Sequence, residues 1–404
     1  MKYLYILIFL IHLFSLTLNA QNCGFIFKKD EKIESITEGY VRNYKHNLST
    51  RAVVKIPVVV HILWKNAQEN ITDAQIQSQI NVLNQDFRKK NVDLKDVPGN
   101  FKALAADCEL EFCLATKDTL GQPTTGIVRR QTIITEFSSS IIRNVYSTAL
   151  GGSNNWKPEN YLNIWVCNMG NNFLGFTSAL KDATTKPKED GVIVDYRAFG
   201  TIGTAANNAA HNKGRTATHE IGHYFNLLHI WGSDDTCIDD DLVSDTPLQG
   251  DASRGCPSFP QLSCGISNMY MNFMDYTDDN CMGLFTVGQK ARMLAALNEF
   301  RPGLLRGSTA CEPTSVSTTP LFNWTIYPNP AANNLYLNID SAPLFKNRKV
   351  EIRDVLGRIL IEKNISETIN NTIEISLNNI SNGIYIVSLN LDNQVFMKKI
   401  TVNK

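Results

Sequence analysis

Three of the chain's seven histidines sit with a glutamate inside eleven consecutive positions, "HEIGHYFNLLH", residues 219–229. This spacing constrains the fold more than any other feature. On a helix, residues four apart share a face, so His219 and His223 can aim their rings at one point. His229 cannot join them along an unbroken helix, because ten residues beyond His219 it would lie about 15 Å up the axis at 1.5 Å per residue. Convergence therefore requires the helix to stop and the chain to turn back. Asn226 stands where that turn must come, and asparagine readily accepts the left-handed conformation that ends helices. Three neutral imidazoles with a fourth position open describe a catalytic zinc site, not a structural one. Glu220 would then lie beside the water that such a metal activates, able to take its proton and pass it to a leaving group. The bland alternative, a helix carrying surface histidines, is weakened by the third histidine six residues after the second.

Around the motif the sequence reads as a mixed α/β (α+β) domain. The run "PVVVHIL" (57–63) is apolar and rich in β-branched residues, the pattern of a buried strand. In the segment 72–91, Thr72 and Gln75 are spaced as a capping box. Ile76, Ile80, Leu83 and Phe87 follow helical spacing behind them. "CELEFCLATKD" (108–118) alternates as a half-buried strand, and "YLNIWVCNM" (161–169) and "DGVIVDY" (190–196) read as further strands. A twisted mixed sheet carrying the histidine helix follows. The stretch "GSTACEPTSVSTTP" (307–320) is a Ser/Thr/Pro-rich linker. Beyond it come the short alternating segments "LYLNI", "VEIRDVLGRILIE", "TIEISL" and "IYIVSLN", the pattern of a small all-β, immunoglobulin-like sandwich.

At the other end, Lys2 precedes the apolar run "YLYILIFLIHLFSLTL" and a small residue, Ala20, where a peptidase would cut. Residues 1–20 are expected to be an export signal and not a membrane anchor, since the run is short and no stop-transfer sequence follows. The mature chain is accordingly expected to hold no transmembrane segment. Residues 21–51 are polar with little periodicity and read as a prosegment. The expected layout is then a catalytic domain over 52–306, a linker over 307–322 and a sandwich over 323–404. Thirty-nine basic residues balance 39 acidic ones, so no global field draws the chain to nucleic acid or an anionic membrane. Exported chains can form disulfides, and all nine cysteines lie between residues 23 and 311.

A second motif follows the histidines, "NFMDYTDDNCMGLFT" (272–286). Together the two motifs resemble the metzincin metalloproteases, and most closely the pappalysin branch, whose bacterial members are secreted endopeptidases acting on protein or peptide substrates. The resemblance covers roughly residues 55–300. It implies that Met274 is the apolar floor beneath the histidines and that Tyr276 sets its hydroxyl near a developing oxyanion. Asn226 departs from the glycine usual at that position, at a small cost in backbone strain. The resemblance also implies the disulfides Cys237–Cys264 and Cys256–Cys281, with Cys108, Cys113, Cys167 and Cys311 unassigned. It further implies that Asp279 lines the pocket for the residue after the scissile bond, where a carboxylate favours arginine or lysine. The acidic run "CIDDDLVSDTP" (237–247) is either a solvated loop or a Ca²⁺ site of the kind pappalysin-like proteases carry. Its candidate ligands are Asp241, the Val243 carbonyl, Asp245 and Thr246.

Cys23, in "NCGF", resembles the cysteine with which related zymogens fill the open metal position, and the alternatives are a disulfide or an idle thiol. Activation would then follow cleavage near Arg51. The last 80 or so residues resemble the C-terminal sorting domain of the type IX secretion pathway, through "YPNPAANNLYL" (327–337), "VEIRDVLGRIL" (350–360), "NGIYIVSL" (382–389) and the terminal "MKKITVNK". That implies recognition by the type IX machinery, passage across an outer membrane and a tail removed or used for surface attachment. Two other functions compete: an adhesion protein on a catalytically weak protease fold, and a zinc hydrolase acting on a non-peptide amide. The intact Glu220 and three histidines count against the first.

Overall fold

The apolar run at 57–63 becomes the middle of β1 (Val54–Trp64), the strand on which the first unit is organised. The computed structural model describes residues 23–24, 30–46, 53–170, 173–232, 236–306, 310–311, 323–340, 348–354, 357–365, 372–391 and 394–404. The expected export signal and the cleavage position near Arg51 lie outside the described residues. Along one edge β1 pairs in parallel with β2 (Leu110–Leu114) through its first half and with β3 (Ile127–Gln131) through its second. Along the other it pairs in parallel with β4 (Leu162–Cys167). The sheet continues through β6 (Val192–Asp195), parallel to β4, and ends on β5 (Gly175–Thr177), which runs antiparallel to β6. An antiparallel strand thus ends an otherwise parallel sheet on the side opposite β2 and β3.

Alternation along β1 sorts its side chains between two faces. Ile56, Val58, Val60 and Ile62 pack into the main core with Ile76, Ile80, Leu83 and Phe87 of α2 (Asp73–Asp86) and its C-cap. Ala217, Ile221 and Tyr224 of α3 (Arg215–Tyr224) join the same core. The opposite face is covered by Phe137, Ile142, Val145 and Tyr146, packed on Leu63, Trp165 and Ile193. There His61 is wholly buried, stacked on Trp165 and hydrogen-bonded to Ser153 Oγ and Asn163 Oδ1 at 3.0 and 3.1 Å. It is a core histidine with no part in the metal motif.

Two expectations from sequence need correction. The capping box at Thr72 is only half made. Thr72 Oγ1 accepts from Gln75 N at 3.1 Å, but the Gln75 amide is drawn away to the carbonyls of Tyr196 and Phe199 and to Thr204. The complete, reciprocal box lies instead at Thr286 and Gln289, starting α4 (Val287–Ala295). Within the 21–51 segment, polar and with little periodicity to read, Glu31–His46 forms a 16-residue helix, α1. Its stripe is sparse: Ile33, Tyr40 and Tyr44 pack on the core around a buried Thr37. Polar contacts hold the rest, above all Glu34 and Glu38 against the buried Arg292 of α4 at 2.9 and 3.4 Å. A helix held this way leaves little apolar periodicity to read.

The chain divides into units Met1–Thr314 and Ser315–Lys404, a boundary inside the expected linker. The second unit is an all-antiparallel pair of sheets. One holds β7 (Asn323–Tyr327), β8 (Asn334–Asp340) and β11 (Thr372–Ser376). The other holds β10 (Ile359–Asn364), β9 (Arg348–Arg353), β12 (Gly383–Leu391) and β13 (Gln394–Val402) in that order. Trp324, Leu335, Leu337, Val350, Ile352, Ile375, Val387, Leu389 and Ile400 fill the space between them. No helix among the described residues is long and apolar enough to cross a membrane.

Candidate metal centre and cleft

Every residue of α3 is buried, polar ones included, so neighbouring elements must satisfy each polar group. α2 fixes the start of the helix: the Gln79 amide donates to Gly214 O at 2.8 Å, and Asp86 Oδ2 accepts from Thr218 Oγ1 at 2.9 Å. The helix ends as its composition requires. Asn226 takes φ of 68°, and Leu227 N donates back to Gly222 O at 3.0 Å. That left-handed residue turns the chain and returns His229 to its partners.

The three Nε2 atoms form a small triangle, 3.1 Å between His219 and His223, 3.0 Å between His223 and His229, and 3.3 Å between His219 and His229. Backbone carbonyls orient two of the rings from behind: Phe273 O lies 2.8 Å from His219 Nδ1 and Leu227 O lies 2.7 Å from His223 Nδ1. Outer-shell bonds of this kind set the tautomer that presents a bare Nε2 to a cation. His229 is stacked on Trp231, with centroids 4.4 Å apart and planes 6° apart. Burial holds His219 down at about 4 and His223 and His229 well below the usual histidine range. Three neutral imidazoles aimed at one point fit a divalent cation and have no other evident reason to converge. Met274 packs against the same helix, its sulfur so close that a side-chain carbon at Gly222 would overlap it.

Cys23 completes the cluster. Its Sγ and the three histidine ligand atoms all lie within 4.8 Å of one another. The segment carrying it is pinned to the β5 edge of the sheet, Gly24 N donating to Gly175 O at 2.9 Å in a parallel bridge. The Cys23 carbonyl accepts from Tyr276 Oη at 3.4 Å. Tyr276 also packs against His229 and Trp231, with centroids 4.9 and 4.8 Å away. Glu220 is fully buried, and burial pushes its carboxyl up to about 7, against hydrogen bonds from Thr177 and Cys23.

Beside Glu220 opens a pocket lined by His211, Thr216, Thr277, Asp279 and Met282 among others, with an empty volume of about 270 Å³. Asp279 is held by the backbone leading into α3: its Oδ2 accepts from Lys213 N and Arg215 N at 2.7 and 3.2 Å, and its Oδ1 lies 3.8 Å from His211 Nδ1. Arg215, paired with Asp93, stands behind it. Of the candidate calcium ligands, Asp241, Val243 and Thr246 come together. Asp241 Oδ1 accepts from Val243 N and Thr246 Oγ1 at 3.1 and 2.7 Å, and its Oδ2 is buried without a hydrogen-bond partner. Asp245 turns to the first turn of α4, accepting from Thr286 Oγ1 and Gly288 N at 2.7 and 2.8 Å. Disulfides join Cys237 to Cys264, Cys256 to Cys281 and Cys113 to Cys311, the last unassigned by sequence.

Sequence reasoning missed the edge strand itself. Three residues, "GFT", carry no periodicity, yet Gly175 pairs with Gly24, and both Gly175 and Thr177 lie against Glu220.

Comparison with known proteins adds a family. Residues 149–298 match the model described as pregnancy-associated plasma protein-A, and residues 325–403 match the secretion system C-terminal sorting domain. An extracellular metalloprotease of Arthroderma benhamiae is 30% identical over 62% of this chain and 80% of its own length, and one of Arthroderma otae is 31% identical over 62% and 81%. Among solved structures, Tannerella forsythia mature mirolysin in complex with a cleaved peptide is 44% identical, covering 65% of this chain and 100% of that one, with a TM-score of 0.62. A Tannerella forsythia promirolysin mutant is 40% identical, covering 71% and 96%, also with a TM-score of 0.62.

Proposed function

This chain belongs to the pregnancy-associated plasma protein-A family of metalloproteases, and we propose that it cuts peptide bonds with zinc held by His219, His223 and His229 and with Glu220 as general base. It is a secreted metalloendopeptidase, and its C-terminal unit is a type IX sorting domain. The convergence of three buried, neutral ring nitrogens beside a buried carboxylate carries the reading. Zinc, when bound, supplies Lewis acidity that activates water and polarises the scissile carbonyl.

The chain's own residues supply the rest. A substrate backbone pairs with the open edge of β5, where Gly24 now pairs with Gly175. Glu220 accepts the proton of the attacking water and returns it to the leaving amine nitrogen, a role that favours a carboxyl poised near neutrality. Tyr276 directs its hydroxyl at the carbonyl oxygen as charge gathers there. Asp279 receives an arginine or lysine following the scissile bond. Cys23 blocks the centre until the segment before the catalytic unit is removed by cleavage near Arg51. The latency reading is supported by the thiol's approach to the histidines.

Calcium is the second metal of the reading, at Asp241, the Val243 carbonyl and Thr246, with Asp245 alongside. The buried, partnerless Asp241 Oδ2 supports it, since such an oxygen is costly unless a cation or donor meets it. Calcium should raise the melting temperature of the wild type and leave Asp241→Asn unmoved. For the central reading the test is digestion of casein by the processed enzyme. Stoichiometric zinc, loss of activity to a chelator and loss in Glu220→Ala are expected; a zinc-free preparation with full activity would overturn it.

A further inference from the structure

Glu220 does not stand alone in the helix face. Residues 175 and 177 of β5 are two apart in a strand and so point the same way, and both meet the Glu220 carboxylate. A side-chain carbon at Gly175 would overlap Oε1 and Cγ of Glu220. Thr177 Oγ1 lies 2.6 Å from Glu220 Oε2 and 2.9 Å from the Glu220 carbonyl. Both side chains are buried, Thr177 being 2% exposed. Oε1 is buried without a hydrogen-bond partner.

We propose that Thr177 is a positioning residue for the general base. The inference rests on the assignment of Glu220 as that base. A threonine hydroxyl has one proton to give. Given to Oε2, the proton makes a charge-assisted bond in a water-poor site and divides the carboxylate into two unlike oxygens. Oε2 is tethered to the edge strand, and Oε1 is left as the basic atom that takes the proton of the attacking water. The absence of a side chain at Gly175 lets the strand come close enough for this. The same strand presents Gly175 O to the backbone that lies in the cleft. Thr177 therefore ties the base to the element on which a substrate is aligned.

The test uses the processed enzyme and a peptide substrate, with kcat and KM measured separately. Thr177→Val removes the hydroxyl and keeps the shape, and should lower kcat by about 10- to 100-fold, the scale on which small misplacements act. KM should stay within about twofold, and zinc content and melting temperature should match the wild type. Thr177→Ser restores the donor and should recover kcat to within about threefold. If the valine variant does not fold, Thr177→Ala is read by the same criteria. Unchanged kcat without the hydroxyl, a serine variant as impaired as the valine one, or a loss confined to KM would each overturn the proposal. Glu220→Ala, run alongside, separates the two readings. An inactive Glu220→Ala beside a fully active Thr177→Val removes only the positioning role, whereas an active Glu220→Ala removes the general base itself.

Discussion

The two units treat buried polar groups in opposite ways. In the first, a ten-residue helix is buried along its whole length while carrying Arg215, Thr218, His219, Glu220 and His223. In the second, the described interior is almost wholly apolar, with Glu351 and Ser388 the buried polar residues among those described. Burying polar groups costs stability unless each finds a partner, and the first unit supplies partners from α2, the 273 carbonyl and the edge strand. The sandwich takes on less of that cost, confined among the described residues to Glu351, Ser388 and the buried amide atoms of Asn338 and Asn390. Function in the first unit thus resides in the interior, where it is expensive to maintain. A sorting domain is read from outside, and a plain core suffices to hold its surface.

The largest consequence is at Glu220. Glu220→Ala should lower kcat/KM by at least about 10³-fold, on the scale of general-base catalysis, while the secreted yield stays at the wild-type level. Deleting 323–404 should do the reverse, stopping export without altering kcat/KM of purified, processed enzyme. A tail deletion that cripples hydrolysis would break the division between interior and surface function.

Next comes covalent reinforcement. All three disulfides fall in the first unit, and residues after Cys311 contain no cysteine. Each is expected to contribute about 2–4 kcal/mol, chiefly by restricting the unfolded chain. Calorimetry with and without reductant should therefore shift the catalytic unit's transition down and leave the sandwich's where it was. Parallel shifts would mean that the two units unfold as one.

This contrast also governs how much could be read from sequence. The histidine motif was legible because helix geometry converts the spacing of His219, His223 and His229 directly into a required turn at Asn226. β1, β4 and β6 were legible because buried strands are apolar runs. The sandwich strands were legible because they alternate. The elements that escaped reading are those whose stability comes from distant partners. β5 is three residues long and exists because β6 pairs with it. α1 packs on the core through few apolar residues, and its Glu34 pairs with Arg292, 258 residues away. Gln75 fits a capping box locally, yet its amide serves the 196–204 loop. Cys113 and Cys311 meet only because the chain closes over a separation of 198 residues. Each is a long-range contact that no local pattern encodes.

A third effect, smaller again, tests the pocket beside Glu220. Asp279→Asn keeps the shape and removes the charge. A charge-assisted hydrogen bond is worth about 1.5–3 kcal/mol, so the preference for arginine over leucine after the scissile bond should fall by about 10- to 100-fold in kcat/KM. Paired peptides differing at that one residue measure it. An enzyme with no basic preference to lose would show that Arg215 and the backbone amides of Lys213 and Arg215 already satisfy the carboxylate.

The smallest expected effect is at Asn226, and it shows how much of the metal centre's shape the turn residue itself supplies. With φ of 68°, asparagine sits where a β-carbon is unwelcome. Replacing it with glycine removes that strain but adds freedom to the unfolded chain. The side chain offers little to set against the change, since its one described hydrogen bond, from Nδ2 to Thr37 Oγ1, is long at 3.4 Å and reaches into α1. That contact would be lost with α1 if the segment before the catalytic unit is removed, as proposed. Asn226→Gly should therefore change the stability of the processed enzyme by less than about 1 kcal/mol, whereas Asn226→Ala should cost about 1–2 kcal/mol, because alanine lacks the short polar side chain that lets asparagine tolerate the left-handed region. Both should keep zinc and kcat, because the bond from Leu227 N to Gly222 O and the carbonyl behind His223 hold the turn independently of the side chain at 226. If the alanine variant instead loses its metal while staying folded, the helix end, and not the surrounding interior, is what sets the position of His229.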